Sequence, residues 1–130
     1  MLGEAKRDPQ ADAALARAAM DDDVAGVRAA LDAGADVHAY DDHALRYAAD
    51  HGHVEVVRML LASGADVHAQ DDAALRWAAE RGHAEVVRML LDAGARWNRI
   101  PPGRLQDLAE LGAKRRDPWL RDVLRAMIPE

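Results

Sequence analysis

The chain has 130 residues, a formal charge of −6 at pH 7, no cysteine and no phenylalanine. The lack of cysteine excludes disulfides, thiolate metal sites and a cysteine nucleophile, and no apolar run approaches the ~18 residues that span a bilayer. Hydrophobic residues make up 50%, but 29 of them are alanine, which suits closely packed helices in one domain better than a sheet of β-branched and aromatic side chains.

Residues 1–10 show no periodicity and are expected to fray. Met1 to Asp8 contains no apolar stretch of the secretory-leader kind, so a soluble, cytoplasmic chain is the expectation. Charge is uneven: residues 1–60 hold 12 acids and 6 bases, whereas residues 61–130 hold 11 of each. An acidic N-terminal half can steer a basic partner. Bases elsewhere alternate with acids, and the one basic cluster is Lys114-Arg115-Arg116. That is no stripe for a duplex, so nucleic acid is not an expected partner.

Residues 34–63 align with residues 64–93 at 22 of 30 identical positions. The same frame reaches back to Leu15, Ala18, Ala19, Val27, Leu31 and Gly34, and forward, more faintly, to Leu105, Ala109, Glu110 and Gly112. The boundaries predicted are repeats at 11–40, 41–70 and 71–100, with a capping repeat at 101–130.

Each unit reads as two short helices. Asp12, Asp42 and Asp72 stand where an N-cap carboxylate takes a free backbone N–H. Leu45, Ala48 and Ala49 then form an apolar face at i, i+3, i+4. Gly52 and Gly82 close the first helix in left-handed geometry. Val57, Leu60 and Leu61, with Val87, Leu90 and Leu91, face inward from the second, which Gly34, Gly64 and Gly94 end. Ala65 to Asp71 is too short and polar for another helix and should form a turn or finger. One unit cannot bury both faces, so stacked units share a core.

Gly52-His53-Val54-Glu55-Val56-Val57-Arg58-Met59-Leu60-Leu61-Ala62-Ser63-Gly64-Ala65-Asp66-Val67, with its copy from Gly82-His83 to Gly94-Ala95, resembles the ankyrin repeat. The resemblance covers roughly residues 11–112. It implies an all-α solenoid of stacked helix–turn–helix units whose concave face, made of fingers and first helices, binds other proteins. Two departures matter. The units are 30 residues long, three short of the family's usual 33, and the loss falls in the finger before Asp42. The family's TPLH stretch is replaced by His43-Ala44-Leu45-Arg46 and Ala73-Ala74-Leu75-Arg76, which removes a hydroxyl and an imidazole that tie fingers together. Shortened fingers with short or absent hairpins are therefore expected.

The ends differ from the middle. Met20-Asp21-Asp22-Asp23 replaces the His51-Gly52-His53 region, and Ala29 stands in the place of Met59. Beyond the third unit, Ile100-Pro101-Pro102-Gly103 forms the finger and Arg104 to Leu111 a further first helix. Asp117-Pro118 opens a last helix with Leu120, Val123, Leu124 and Met127 on one stripe. Trp119 there is either a cap residue or an exposed anchor, and Trp97, in the frame of Val37 and Val67, is expected to be buried.

Little in the chain suggests catalysis. Ser63 is the sole serine, threonine is absent, and there is no phosphate-cradling glycine loop. The pairs Asp41-Asp42 and Asp71-Asp72 recur with the repeat, as capping and finger residues do. Of the histidines at 38, 43, 51, 53, 68 and 83, His53 and His83 occupy the family's Gly-His corner, where the ring serves the backbone. His38 and His68 lie one repeat apart, too distant for a shared ion with ~2.0–2.1 Å bonds. No enzyme activity, metal or cofactor is expected.

Binding has better support. The two central copies differ at eight positions, and five pairs fall in the finger or first helix: Tyr40/Gln70, His43/Ala73, Tyr47/Trp77, Asp50/Glu80 and His51/Arg81. Tyrosine, tryptophan and arginine are common interface anchors. Tyr40, His43, Tyr47, Asp50, His51, Trp77, Glu80 and Arg81 are thus the candidate contacts for a protein partner. Tyr47 and Trp77 either form an aromatic ladder for that partner or pack between first helices. Arg46 and Arg76 either receive acidic groups or neutralise Asp50, Glu80 and the finger aspartates. The function expected is a non-catalytic, monomeric protein-binding module. Alternatives are a dedicated inhibitor or immunity-type partner of a toxin or enzyme, and a purely structural or engineered scaffold. Arginine outnumbers lysine 15 to 2, a composition that fits a GC-rich bacterial source.

Overall fold

The computed structural model describes residues 9–96 together with Gly103, Gln106, Asp107, Glu110 and Lys114, and these last five are helical and exposed. Expectations for residues 1–8, for Trp97, for Trp119 and for the last helix lie outside the described residues, and the capping repeat is covered only at those five positions.

Within residues 9–96, six helices come in pairs: α1 Pro9–Met20 with α2 Val24–Asp32, α3 Ala39–His51 with α4 Val54–Ala62, and α5 Ala69–Glu80 with α6 Ala84–Asp92. The first helices pack in a row (α1 on α3, α3 on α5), and the second helices form a row behind them. No strand occurs among the described residues. The architecture is the all-α stack of helix–turn–helix units that the repeat implies. Helix α1 starts at Pro9, so the last two residues of the segment expected to fray are helical.

The shared core repeats with the sequence. Leu15, Leu45 and Leu75 from the first helices meet Val27, Val57, Val87, Leu60 and Leu90 from the second, each no more than 1% exposed. Burial of each such side chain contributes about 1.5–3 kcal/mol. Ala19, Ala48, Ala49 and Ala78 have no exposure at all; a larger side chain there would force neighbouring first helices apart. One expectation shifts. Val56 and Val86 are fully buried, while Leu61 and Leu91 are only half-buried. The second helices present Val56 and Val86 to the core beside Val57 and Val87, and this turns Leu61 and Leu91 towards the surface.

Gly52 has φ +73°, as a left-handed helix end requires, and a Cβ built there would lie 2.7 Å from the His83 ring. Glycine is thus fixed at this corner both by backbone geometry and by the neighbouring unit.

The N-cap expectation for the aspartates is corrected. Tyr40, Asp41 and Asp42 all have φ 57°, and Gln70, Asp71 and Asp72 repeat this with φ 55°, 60° and 59°. Each finger therefore enters its helix through a left-handed turn, and right-handed helix resumes at His43 and Ala73. Asp42 does not cap its own helix. Its carboxylate accepts the backbone N–H of Asp66 in the next unit at 2.7 Å; Asp12 takes Asp36 N–H and Asp72 takes Arg96 N–H at the same distance. All three are buried. This tie runs from finger to finger and stands in for the missing TPLH contacts.

Candidate functional site

The first-helix row and its fingers carry all eight candidate residues. Their placement follows from how each left-handed turn is held. Left-handed backbone costs about 1–2 kcal/mol per non-glycine residue, so the turn needs fixing. Arg46 donates from Nε to the Asp41 carbonyl at 2.9 Å and from Nη2 to the Tyr40 carbonyl at 3.0 Å. Arg76 does the same for Asp71 and Gln70, both at 3.1 Å. The sequence reading offered these arginines as partners for acids; in the structure they clamp backbone carbonyls. The Asp36 carboxylate accepts His38 N–H at 2.9 Å, and the His38 ring donates to Asp42 at 3.0 Å. That hydrogen bond, the largest effect, outweighs the opposing effect of burial and, with a lesser contribution from the charge of Asp42, holds His38 above its ordinary value.

This clamped turn pushes Tyr40 outward, 61% exposed. His43, Tyr47 and His51 follow on α3 as a column of rings. His43 meets Tyr47 edge-on at 4.6 Å, and Tyr47 stacks on His51 at 5.3 Å with 9° between planes. His51 continues to His53 at 5.7 Å. The i, i+4, i+8 spacing of residues 43, 47 and 51 was the signal for this column, since those positions share one helix face. Burial, and then the nearby Arg46 charge, push the His43 imidazole below its ordinary value. The ring contacts of Tyr47 thus run along its own helix, and the face of Trp77 is met by the Arg46 guanidinium at 5.6 Å from the ring centroid. Tyr47 and Trp77 are both half-buried.

Asp50 and Arg81 are brought together, with Nε to carboxylate at 3.0 Å across the α3–α5 junction. Glu80 is exposed at the end of α5. Gln70 reaches back to the Asp41 carboxylate at 2.6 Å. Met20, 42% exposed, was not among the expected contacts; the frame signal was its place opposite Asp50 and Glu80, where an apolar residue is out of pattern.

The Gly-His corners act as expected of backbone ligands. His53 Nε2 donates to the Met20 carbonyl at 3.1 Å, and His83 Nε2 to the Asp50 carbonyl at 2.9 Å. Carbonyls only accept, so both rings carry their proton on Nε2. His51 likewise donates from Nδ1 to the Tyr47 carbonyl at 2.9 Å. Each of these bonds occupies one ring nitrogen and fixes the tautomer; among the described residues no three His, Asp or Glu side chains converge where a metal ion could sit. Ser63 is exposed at the end of α4. No described helix is long and apolar enough to cross a membrane. The arrangement offers a surface of rings, guanidinia and carboxylates on a stiff helical row.

A family model described as ankyrin repeats, in three copies, matches residues 15–100. No curated protein matches the chain.

Proposed function

The chain belongs to the ankyrin repeat family, whose members are generally protein–protein interaction modules, and on that premise we propose that it captures a basic partner protein on the concave face made by its first helices and fingers. One observation carries this reading. Units that agree at 22 of 30 positions differ at Tyr40/Gln70, His43/Ala73, Tyr47/Trp77, Asp50/Glu80 and His51/Arg81, all on the fingers and first helices. The other three differences, Val54/Ala84, Ala62/Asp92 and Ser63/Ala93, fall on the second helices and their ends, so five of the eight lie on the fingers and first helices. The exposed Tyr40 ring and the half-exposed faces of Tyr47 and Trp77 supply aromatic area, and Asp50 with Arg81 supplies a polar rim of the kind that surrounds interface anchors.

The test is the double substitution Tyr47→Ala with Trp77→Ala. Partner capture should be lost while helical content and the melting transition are kept, because neither ring is in the buried core. Unfolding of the double variant would make both rings structural and remove them from the site. The acidity of residues 1–60 favours a second reading, a dedicated inhibitor of one basic target. Association that weakens steeply with added salt is expected under both readings; loss of the target's own activity on binding marks the inhibitor.

A further inference from the structure

The first-helix row has two grooves, α1 against α3 and α3 against α5, and carboxylates of the first partner helix tie only the second. There Asp50 accepts from Arg81 at 3.0 Å and Asp41 from Gln70 at 2.6 Å. Thirty residues earlier the frame puts Met20 in the place of Asp50 and Ala11 in that of Asp41. The first groove thus lacks both acids that bridge the second. It stands open, with a volume of about 680 Å³, inside the range of ligand sites, about 300–1,000 Å³. Met20 and Tyr40, which line it, are the exposed large apolar side chains among the described residues.

The charges that line this groove are those of Arg17, Arg46 and Asp21. Arg46 is held still, because Nε and Nη2 donate to the Asp41 and Tyr40 carbonyls. Carbonyls are neutral, so the guanidinium keeps its full charge. Its field is legible on His43, which burial, and then the Arg46 charge, hold below its ordinary value. Arg17 is exposed, and neither arginine pairs with a carboxylate among the described residues. The aspartates nearby are engaged elsewhere: Asp12 with the Asp36 N–H, Asp42 with the Asp66 N–H, Asp41 with Gln70 and Asp50 with Arg81. Two cations, one of them fixed in place, therefore face the groove against Asp21 alone.

Resting on the protein-binding reading above, we infer that this groove anchors the partner through one acidic side chain, presented beside an apolar residue on an exposed segment. The carboxylate reaches Arg17 and Arg46, and the apolar neighbour covers Met20 and the Tyr40 ring. Guanidinium–carboxylate hydrogen bonds are among the stronger ones in proteins, and a guanidinium already fixed loses little freedom on making one. An acidic anchor is compatible with a basic partner. The −6 of the whole chain acts at long range on the partner's total charge, whereas the anchor meets only the charges that line the groove. A phosphate dianion fits less well, because Asp21 opposes its second negative charge.

The experiment pans the full chain against a random-peptide phage library, then titrates the enriched peptide, fluorescently labelled, against single variants. Enriched peptides should share an acidic residue beside an apolar one, and changing that acid to its amide should weaken binding about tenfold. Arg17→Gln should weaken it by a similar factor, Arg17→Lys should restore most of the loss, and Asp21→Asn should tighten it severalfold. Ala16→Glu offers the two guanidinia a carboxylate from within the chain. It should weaken binding more than Ala16→Gln, which fills the same volume without the charge. Arg46 is left unchanged, because it also holds the left-handed turn. Circular dichroism confirms that each variant is folded, and residues 17 and 21 are exposed, so these two decide even where a variant at Ala16 fails to fold. A basic consensus overturns the inference, as does the absence of any enriched acidic motif. Acidic peptides that ignore Arg17→Gln and Asp21→Asn overturn it as well. If the enriched peptides are lost instead with Tyr47→Ala and Trp77→Ala, the wider protein-binding reading stands and only the groove is wrong.

Discussion

Arg96 places three donors on the Asp72 carboxylate: its backbone N–H at 2.7 Å, Nε at 3.0 Å and Nη2 at 2.6 Å. Asp72 itself has no solvent exposure. A charge so deeply buried persists only because its lone pairs are satisfied. The same geometry, with a backbone donor 24 residues on, recurs at Asp12 and Asp42. Removing such a carboxylate leaves a part-buried backbone N–H without an acceptor. Asp72→Ala and Asp42→Ala should therefore each destabilise by about 2–3 kcal/mol, read as a lower urea midpoint. Asp41→Ala, on the exposed neighbour, should cost no more than about 0.5 kcal/mol. Equal losses at Asp41 and Asp42 would show that the finger tie is not what matters.

The ties also set how stability depends on pH. Burial alone would raise the Asp72 carboxyl, but hydrogen bonds from the Arg96 side chain and backbone, with His68, outweigh it and hold it below its usual value. A carboxyl depressed in the folded state stabilises fully above its unfolded value, about 3.9, and loses that contribution as pH falls through the lower folded value. His38 has the opposite sign. Raised above 6.5 chiefly by its hydrogen bond to Asp42, it stabilises fully below 6.5 and loses the contribution as pH rises through the higher folded value. His43, held below its ordinary value by burial and the Arg46 charge, acts the other way from His38 and costs stability as pH falls below 6.5. The urea midpoint should thus be highest at about pH 6.5. Asp42→Asn should remove most of the decline on the alkaline side. A decline unchanged in that variant would assign it to another group.

These two results mark where the sequence was legible and where it was not. The 30-residue recurrence of leucine, paired alanine and glycine was enough to place six helices and the core, because burial imposes the same apolar types in every unit. The aspartates at 12, 42 and 72 recurred just as plainly, yet their role was misread. Spacing within one unit suggests a cap; the actual acceptor geometry depends on the next finger, 24 residues away. The Arg46 clamp was hidden for the same kind of reason, since nothing in the residue types of Tyr40-Asp41-Asp42 announces three consecutive left-handed residues.

Gly52 and His83 test the corner between the second and third units. His83→Ala removes one hydrogen bond to the Asp50 carbonyl and should cost about 1 kcal/mol. Gly52→Ala should cost more, because it combines a left-handed φ of +73° with a Cβ 2.7 Å from the His83 ring. The two changes share that collision, so they should not add. With His83 already alanine, the steric part of the Gly52→Ala penalty disappears and only backbone strain, about 1–2 kcal/mol, remains. Simple additivity in the double-mutant cycle would mean that the ring and the new methyl never meet.

The left-handed turns make a prediction that runs against ordinary helix chemistry. Glycine in a helix interior normally destabilises by about 1 kcal/mol relative to alanine, and Ala14→Gly, at an exposed interior position of α1, should do so. Asp41 has φ 57° and an exposed carboxylate whose partner is the exposed Gln70 amide. Asp41→Gly relieves left-handed strain there while sacrificing little, so it should raise the urea midpoint by up to about 1 kcal/mol in stability. Arg46→Lys tests the same turn from the other side. A lysine ammonium has no planar fork with which to hold the Tyr40 and Asp41 carbonyls together, so amide exchange at residues 40–42 should accelerate while the buried α4 amides keep their protection. Combining the two changes should restore part of the lost protection, since glycine holds the left-handed geometry without a clamp. Destabilisation by Asp41→Gly equal to that of Ala14→Gly would show that this turn is not left-handed in solution.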